Sequence, residues 1–388
     1  MRAELSDQCV SSALEYFLGY PFITGNTVTR LLNGDQIFSS MLNGIRSAER
    51  TIELLTFVYW EGEIADQFAD ALASQAKAGI QVRVVLDAVG ARQISDENVQ
   101  TMLQSGVNLQ WFRPLTSWKI WSREHRTHRK ILVVDGTTGF TGGVGIAEEW
   151  CGDARSENEW RDTHFKITGP AVKALIGGFY GNWAETGQRV LNPDDQLPIN
   201  HAVDDESVLT VRATASTGGW SDISLVFDLL IATCNARLWV TTAYFVPNQA
   251  TCKLLIEAVE RGVDVQIMMP GQYTDERVSQ VAGEDTFQPL IEAGIRLWKY
   301  EKTMLHVKSI IADDEIACIG SANFNQRSIS KDDEIALIVK SPQLVSTLAN
   351  DFENDLEQCR QIQPDDWKKR GLFQRMLEFA GRMVRPHT

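Results

Sequence analysis

A histidine, a lysine and an aspartate occur twice in this chain of 388 residues at one fixed spacing. His128-Arg-Lys130-Ile-Leu-Val-Val-Asp135 returns later as His306-Val-Lys308-Ser-Ile-Ile-Ala-Asp313, so both copies read H-x-K-x-x-x-x-D. Beyond each Asp stands a pair of small residues, Gly142-Gly143 and Gly320-Ser321. Histidine attacks or shuttles protons near neutral pH. Lysine offers a compact cation to a phosphate oxygen. Small residues let backbone N–H groups approach an anion. One such octet reads equally well as an ordinary buried strand, because Ile-Leu-Val-Val is apolar and β-branched. Two copies with the same follow-up point instead to paired chemistry on a phosphate.

The elements around the motifs repeat as well. Strand-like Thr51–Tyr59 corresponds to Leu238–Val246. A helical segment ending at Gly79 or Gly262 follows, with Phe68, Leu72 and Ala76 on one face of the first. Strand-like runs 79–86 and 262–269 come next, then helices ending at Gly106 and Gly294, then strands Val107–Phe112 and Ile295–Tyr300. Glycine after a helix and before a strand is a stop signal. The alternation predicts α/β units with a largely parallel sheet covered on both faces, in two similar domains. The polar, Pro-containing stretch Leu191–Glu206 is the expected linker. The N-terminal segment, with Val10, Leu14 and Leu18 at helical spacing, is expected to dock on the first domain.

The halves differ between the third strand and the histidine. Sixteen residues separate Phe112 from His128 but six separate Tyr300 from His306. The insert carries Trp118, Ile120 and Trp121 beside Lys119, Arg123 and Arg126, the composition of a membrane–water interface or of a loop packed on the second domain. The net charge is −14, which argues against a nucleic-acid surface. Residues 367–388 nevertheless hold six Lys/Arg and one acid, with Leu372, Phe373, Met376, Leu377, Ala380 and Met383 on one helical stripe. A basic amphipathic helix of this kind lies on an anionic membrane surface; the alternative is packing on the protein's own acidic body. No run approaches a transmembrane span, no signal-peptide pattern opens the chain, and six scattered cysteines suggest neither a metal site nor a disulfide framework.

With these motifs the chain resembles the phospholipase D superfamily, and within it bacterial cardiolipin synthases. The resemblance spans about residues 25–360. It includes Gly25-Asn26, Leu86-Asp87, Trp160-Arg-Asp162, Gly169-Pro170, Ala243-Tyr-Phe-Val-Pro247 and Gly320-Ser-Ala-Asn323 with Arg327-Ser328. It implies two α-β-α sandwich domains related by a pseudo-twofold axis, about 25–195 and 207–360. An N-terminal helix would occupy 1–24 and the basic helix 365–388, and one active site would lie at the domain interface. It implies a catalytic set of His128, Lys130, Asp135, His306, Lys308 and Asp313. His128 would be the nucleophile and His306 the acid/base, while both aspartates end their strands and hold the turn. The residues alone leave the two histidines interchangeable. Asp162 in the first half and Glu334 in the second would hold the imidazoles, Asn323 would face the phosphate, and Gly142, Gly143 and Ser321 would form the turns.

Two departures stand out: Gly145 replaces the equivalent of Asn323, and Leu55 stands where many cardiolipin synthases carry glutamate. The expected reaction is phosphatidyl transfer through a phosphohistidine, with no metal or cofactor. Phosphatidylglycerol is the expected substrate, phosphatidylethanolamine a second candidate, and cardiolipin the product. Alternatives are a phospholipase D releasing phosphatidic acid, a nuclease of the same superfamily, and a lipid-binding scaffold. The expected location is cytoplasmic, peripheral on the inner face of the bacterial plasma membrane, with Trp118, Trp121, Phe373 and Leu377 as membrane contacts. Oligomeric state is left open by the sequence.

Overall fold

The computed structural model describes residues 7–114, 124–190, 200–214, 221–275 and 283–368. The first half supplies β1 (Ile23–Leu32), β2 (Thr51–Thr56), β3 (Gln81–Asp87), β4 (Asn108–Phe112), β5 (Ile131–Val134), β6 (Thr138–Gly142) and β7 (Thr163–Thr168). The second supplies β8 (Glu206–Ala213), β9 (Arg237–Thr242), β10 (Asp264–Pro270), β11 (Arg296–Tyr300), β12 (Lys308–Ala312), β13 (Ile316–Gly320) and β14 (Glu334–Lys340), with β15 (Cys359–Gln361) added outside β11. Their spatial orders match: β4-β3-β2-β5-β6-β7-β1 in one half and β11-β10-β9-β12-β13-β14-β8 in the other. β1 and β8 pair antiparallel at the seam, Ile23 with Val208 and Asn26 with Glu206.

The sheet corrects one expectation. Only β2-β3-β4 and β9-β10-β11 are parallel; the other described pairings are antiparallel. The βα alternation holds for three strands of each half. The motif strand then returns through a short hairpin, and so short a connection can only make an antiparallel pair.

Those hairpins explain the motif aspartates. Asp135 (φ 53°) and Asp313 (φ 55°) open the turns in the left-handed region, which Asp tolerates better than most side chains. The Asp135 carboxylate accepts the backbone N–H groups of Glu49, Arg50 and Thr51. Asp313 accepts those of Asn235, Ala236 and Arg237. Each aspartate thus ties its hairpin to the start of the neighbouring strand. Seven extended residues separate it from its histidine, about 20 Å, so neither belongs with the reacting groups in the catalytic set.

Apolar side chains alternate along the strands and fill three cores. On the outer face of the first half, Leu54, Val84 and Leu132 meet Ile37, Phe68 and Leu72 from helices Asn33–Arg46 and Glu63–Lys77. On the outer face of the second, Val240, Ile267 and Ile310 meet Phe227, Leu230 and Leu255 from helices Asp222–Thr233 and Gln249–Glu260. The third core lies between the halves. It joins Leu55, Val85 and Val133 to Ile311, Ile319 and Leu337 through Phe179 and Trp183 of helix Val172–Glu185 and Leu348 and Phe352 of helix Pro342–Leu356. The chain is therefore two helix–sheet–helix halves facing one another across their inner helices.

The N-terminal helix, Asp7–Leu18, places Val10 and Leu14 in the core of the second half, not the first as expected, because its apolar stripe meets helix Asp222–Thr233. Trp367, at the start of the basic tail, packs on Phe287 with ring centroids 5.4 Å apart. Phe373 and Leu377 lie outside the described residues, as do Trp118 and Trp121.

In the central layer Glu53 on β2 is buried against Arg83 (3.1 Å), Thr51 and Tyr180. Burial pushes its carboxyl from the ordinary 4.5 up to about 7, although Arg83 pulls the other way. A carboxyl whose folded value is raised stabilises the fold below its unfolded value, and that contribution is lost as pH rises through the folded one. The loss amounts to about 3 kcal/mol between pH 4.5 and 7. Urea unfolding of wild type and Glu53→Gln across this window should show the wild type losing stability more steeply; parallel profiles would refute the assignment.

Candidate active site

The two motifs converge through backbone pairing between the halves. His128 N–H donates to the Asp333 carbonyl (2.9 Å) and Asp333 N–H to the Arg126 carbonyl (2.8 Å). In the matching place His306 N–H donates to the Arg161 carbonyl (2.7 Å) and Arg161 N–H to the Met304 carbonyl (2.9 Å). Each histidine thereby comes to lie beside the first residues of the other half's β7 or β14.

The outcome is an exchange of carboxylates. His128 Nδ1 is 2.9 Å from Glu334 Oε1, and His306 Nδ1 is 2.8 Å from Asp162 Oδ2. Asp162 and Glu334 are equivalent positions, since Gly142 pairs with His164 and Gly320 with Ala336. The sequence reading gave each half its own orienting acid. The structure corrects this: the acid of each half serves the histidine of the other.

Burial opposes charge on both acids, but their partners prevail. The His306 hydrogen bond, Lys308 and the Thr163 N–H hold Asp162 below the usual carboxyl range. His128, Lys130 and the Ser321 hydroxyl do the same for Glu334. An ionised carboxylate accepts a hydrogen bond from Nδ1–H, which leaves the lone pair on Nε2, the nitrogen free to attack or to carry a proton. Burial and Lys130 push His128 down to about 4, while burial and Lys308 push His306 down to about 3. Both imidazoles are therefore neutral near pH 7.

Each lysine follows its histidine by two residues at the entry to β5 or β12. Lys130 Nζ donates to the His128 carbonyl (2.9 Å) and Lys308 Nζ to the His306 carbonyl (2.8 Å). Burial and the neighbouring Lys308 lower Lys130 to about 7; burial lowers Lys308 to about 8. Two desolvated ammonium groups beside two neutral imidazoles form a receptor for an anion.

The small-residue turns make room for the acids. A Cβ on Gly143 would collide with the Asp162 carboxylate, and one on Gly142 with His164 and Thr163. Ser321, equivalent to Gly143, donates its hydroxyl to Glu334. Asn323 is buried with its amide oxygen unpartnered. Gly145, its equivalent, has no room for a side chain because Val58 Cβ would be 2.6 Å away. Leu55 is buried in the central core.

Sequence reasoning missed several residues. Arg126, read as part of an interfacial insert, is buried instead, with Nη2 2.9 Å from Asp87 and its guanidinium on the carbonyls of Phe112 and Arg113. Arg129 bonds to the carbonyls of Glu334, Gly178 and Ala213 and to Asn182 Oδ1, pinning the start of β14 behind His128. Adjacent basic residues looked surface-exposed, and only the three-dimensional partners distinguish Arg126 and Arg129 from the rest. Phe57 meets the His128 ring at 5.5 Å, while Trp150 and Trp160 meet His306 at 5.2 and 5.6 Å.

The exchange is testable by histidine NMR. Both imidazoles should remain neutral at about pH 5. Glu334→Gln should lower the titration of His128 and Asp162→Asn that of His306, because each removes the anion that raises it. Effects on the histidine of the same half instead would contradict the crossed pairing.

A family model described as "Cardiolipin synthase, PLD-like domain" matches residues 41–165 and 229–356. Cardiolipin synthase 1 of Bacillus anthracis is 31% identical over 396 residues, covering 100% of this chain and 78% of its own. Cardiolipin synthase of Halalkalibacterium halodurans is 33% identical over 367 residues, covering 94% and 73%. The crystal structure of phosphatidylserine synthase from Haemophilus influenzae Rd KW20 superposes with a TM-score of 0.74 at 15% identity, over 98% of this chain and 100% of that one, a likeness of fold. This chain belongs to the cardiolipin synthase family of phospholipase D-like proteins.

Proposed function

We propose that this chain transfers a phosphatidyl group from one phospholipid to the alcohol of another, with phosphatidylglycerol as donor and acceptor and cardiolipin and glycerol as products. The observation that carries the reading is the pair of buried, neutral imidazoles, each held at Nδ1 by the opposite half's carboxylate, with two lysines between them. Relatives named cardiolipin synthase over the length of the chain supply the substrate class.

In the first step His128 Nε2 attacks phosphorus, and the bond to the glycerol oxygen breaks as His306 gives that oxygen a proton. Phosphatidyl-His128 remains. In the second, His306 takes the proton of a terminal hydroxyl on the incoming phosphatidylglycerol, whose oxygen attacks phosphorus and releases His128. Lys130 and Lys308 offset the charge on the phosphoryl oxygens. His306 needs a proton at the outset although it is neutral in the free site. The phosphodiester supplies the reason: its negative charge offsets the lysines that hold His306 down, so substrate binding draws in the proton.

Among the described residues no helix is long and apolar enough to cross a membrane. We place the protein at the anionic inner face of the bacterial plasma membrane, where its substrate lies, with the Trp118–Trp121 insert and the basic tail as contacts.

Lipid mass spectrometry on phosphatidylglycerol vesicles, with and without phosphatidylethanolamine, tests the reading. Wild type should form cardiolipin, and His128→Ala should reduce the rate by at least about a thousandfold. Phosphatidic acid without cardiolipin would make the protein a hydrolase. Quenching in denaturant at mildly alkaline pH, where the P–N bond of a phosphohistidine survives, should trap labelled phosphatidyl on wild type but not on His128→Ala.

A further inference from the structure

Beyond the Ser321/Gly143 and Asn323/Gly145 differences, the described residues of the duplicated site show one further asymmetry, an indole. Trp150 lies in the short 3-10 turn Glu148–Trp150 and is buried. Its Nε1–H donates to Asp162 Oδ2 at 2.9 Å, the same oxygen that His306 Nδ1 approaches at 2.8 Å. The Thr163 N–H holds the other oxygen, Oδ1, at 2.7 Å. On the second carboxylate the arrangement differs: His128 takes Oε1 of Glu334 and the Ser321 hydroxyl takes Oε2. Of the two acids, Asp162 is the one on which the imidazole and a second donor compete for one oxygen.

Trp150 also packs against the imidazole it influences. Its ring meets His306 nearly perpendicular, at 78°, and meets Trp160 at 4.5 Å, so two indoles enclose His306. His128 has a phenyl neighbour in Phe57, and its side chain is 13% exposed against 6% for His306.

We propose that Trp150 is the positioning residue that fixes the acid–base role on His306. The inference rests on the phosphohistidine reading above. A donor on the shared oxygen withdraws electron density from it, so Asp162 pulls less on the His306 proton and supports the imidazolium less than a carboxylate without that donor would. An imidazolium so held gives up its proton more readily to a departing alkoxide. The aromatic walls act in the same direction by keeping water from the ring, which is 6% exposed. Glu334, whose second donor sits on its other oxygen, keeps more of its pull on Nδ1–H of His128 and makes that ring the better nucleophile.

The test separates proton donation from mere packing by the leaving group. Phosphatidylglycerol loses an alkoxide that needs a proton; phosphatidyl-p-nitrophenol loses a phenolate that does not. Single-turnover release of glycerol by Trp150→Phe should fall roughly tenfold, the effect of one charge-assisted hydrogen bond, while release of p-nitrophenolate stays within about twofold. The pH profile for glycerol release should move towards higher pH, because His306 becomes more basic. Introducing Asp162→Asn should abolish the difference between the wild type and Trp150→Phe, because the two substitutions act through one oxygen. Replacing Trp150 by 3-benzothienylalanine, which keeps the bicyclic shape but lacks the N–H donor, repeats the comparison if the phenylalanine variant does not fold. Equal losses on both lipids, or an unmoved pH profile, overturn the role of Trp150 while leaving phosphatidyl transfer intact. A wild type that turns over neither lipid overturns the phosphohistidine reading and this inference with it.

Discussion

The contact on which the rest depends is the crossed pairing of acid and imidazole. Glu334 reaches across to His128, and Asp162 to His306. Nothing within one half provides these contacts. The backbone bridges at Thr127 and Asp333 and at Arg161 and Leu305 set the register of the halves at the site. The seam between β1 and β8, the shared inner helices and the buried Arg126 and Arg129 then hold that register. A core between the halves serves chemistry here because two groups must face one phosphate from opposite sides.

Burial sets the electrostatics of the site. Desolvation removes protons from both histidines and weakens both lysines. Left alone, such buried charges are costly. The carboxylates, hydroxyl and indole balance part of that cost, and a phosphodiester balances more. The free site is thus incomplete in charge and becomes complete with its substrate.

Much of this was legible in the sequence. The repeated motif, the glycine punctuation and the βα alternation located β2–β4 and β9–β11 and the strands β5 and β12 that follow His128 and His306. What escaped depends on contacts between distant segments. β1 and β8 have no motif and are strands because they close the seam between the halves. The inner helix Val172–Glu185 is apolar around much of its surface, so periodicity does not say which sheet it covers; helix Pro342–Leu356 has a clear apolar face, but periodicity does not say which core receives it. The assignment of an acid to each histidine followed chain proximity, whereas the fold passes the chain ends of β7 and β14 across the interface. Arg126 looked like a surface charge because its partner Asp87 lies 39 residues earlier in sequence.

The crossing has a consequence during synthesis. The first half leaves the ribosome carrying His128, Lys130 and Asp162, but the carboxylate for its own histidine lies in residues translated much later. Until Glu334 arrives, that imidazole is unanchored and no proton donor stands opposite it. A chain that ends before Glu334 therefore lacks the acid that holds His128, and the pair is completed only when β14 docks. The duplication thus makes each histidine depend on the other half before its imidazole is held.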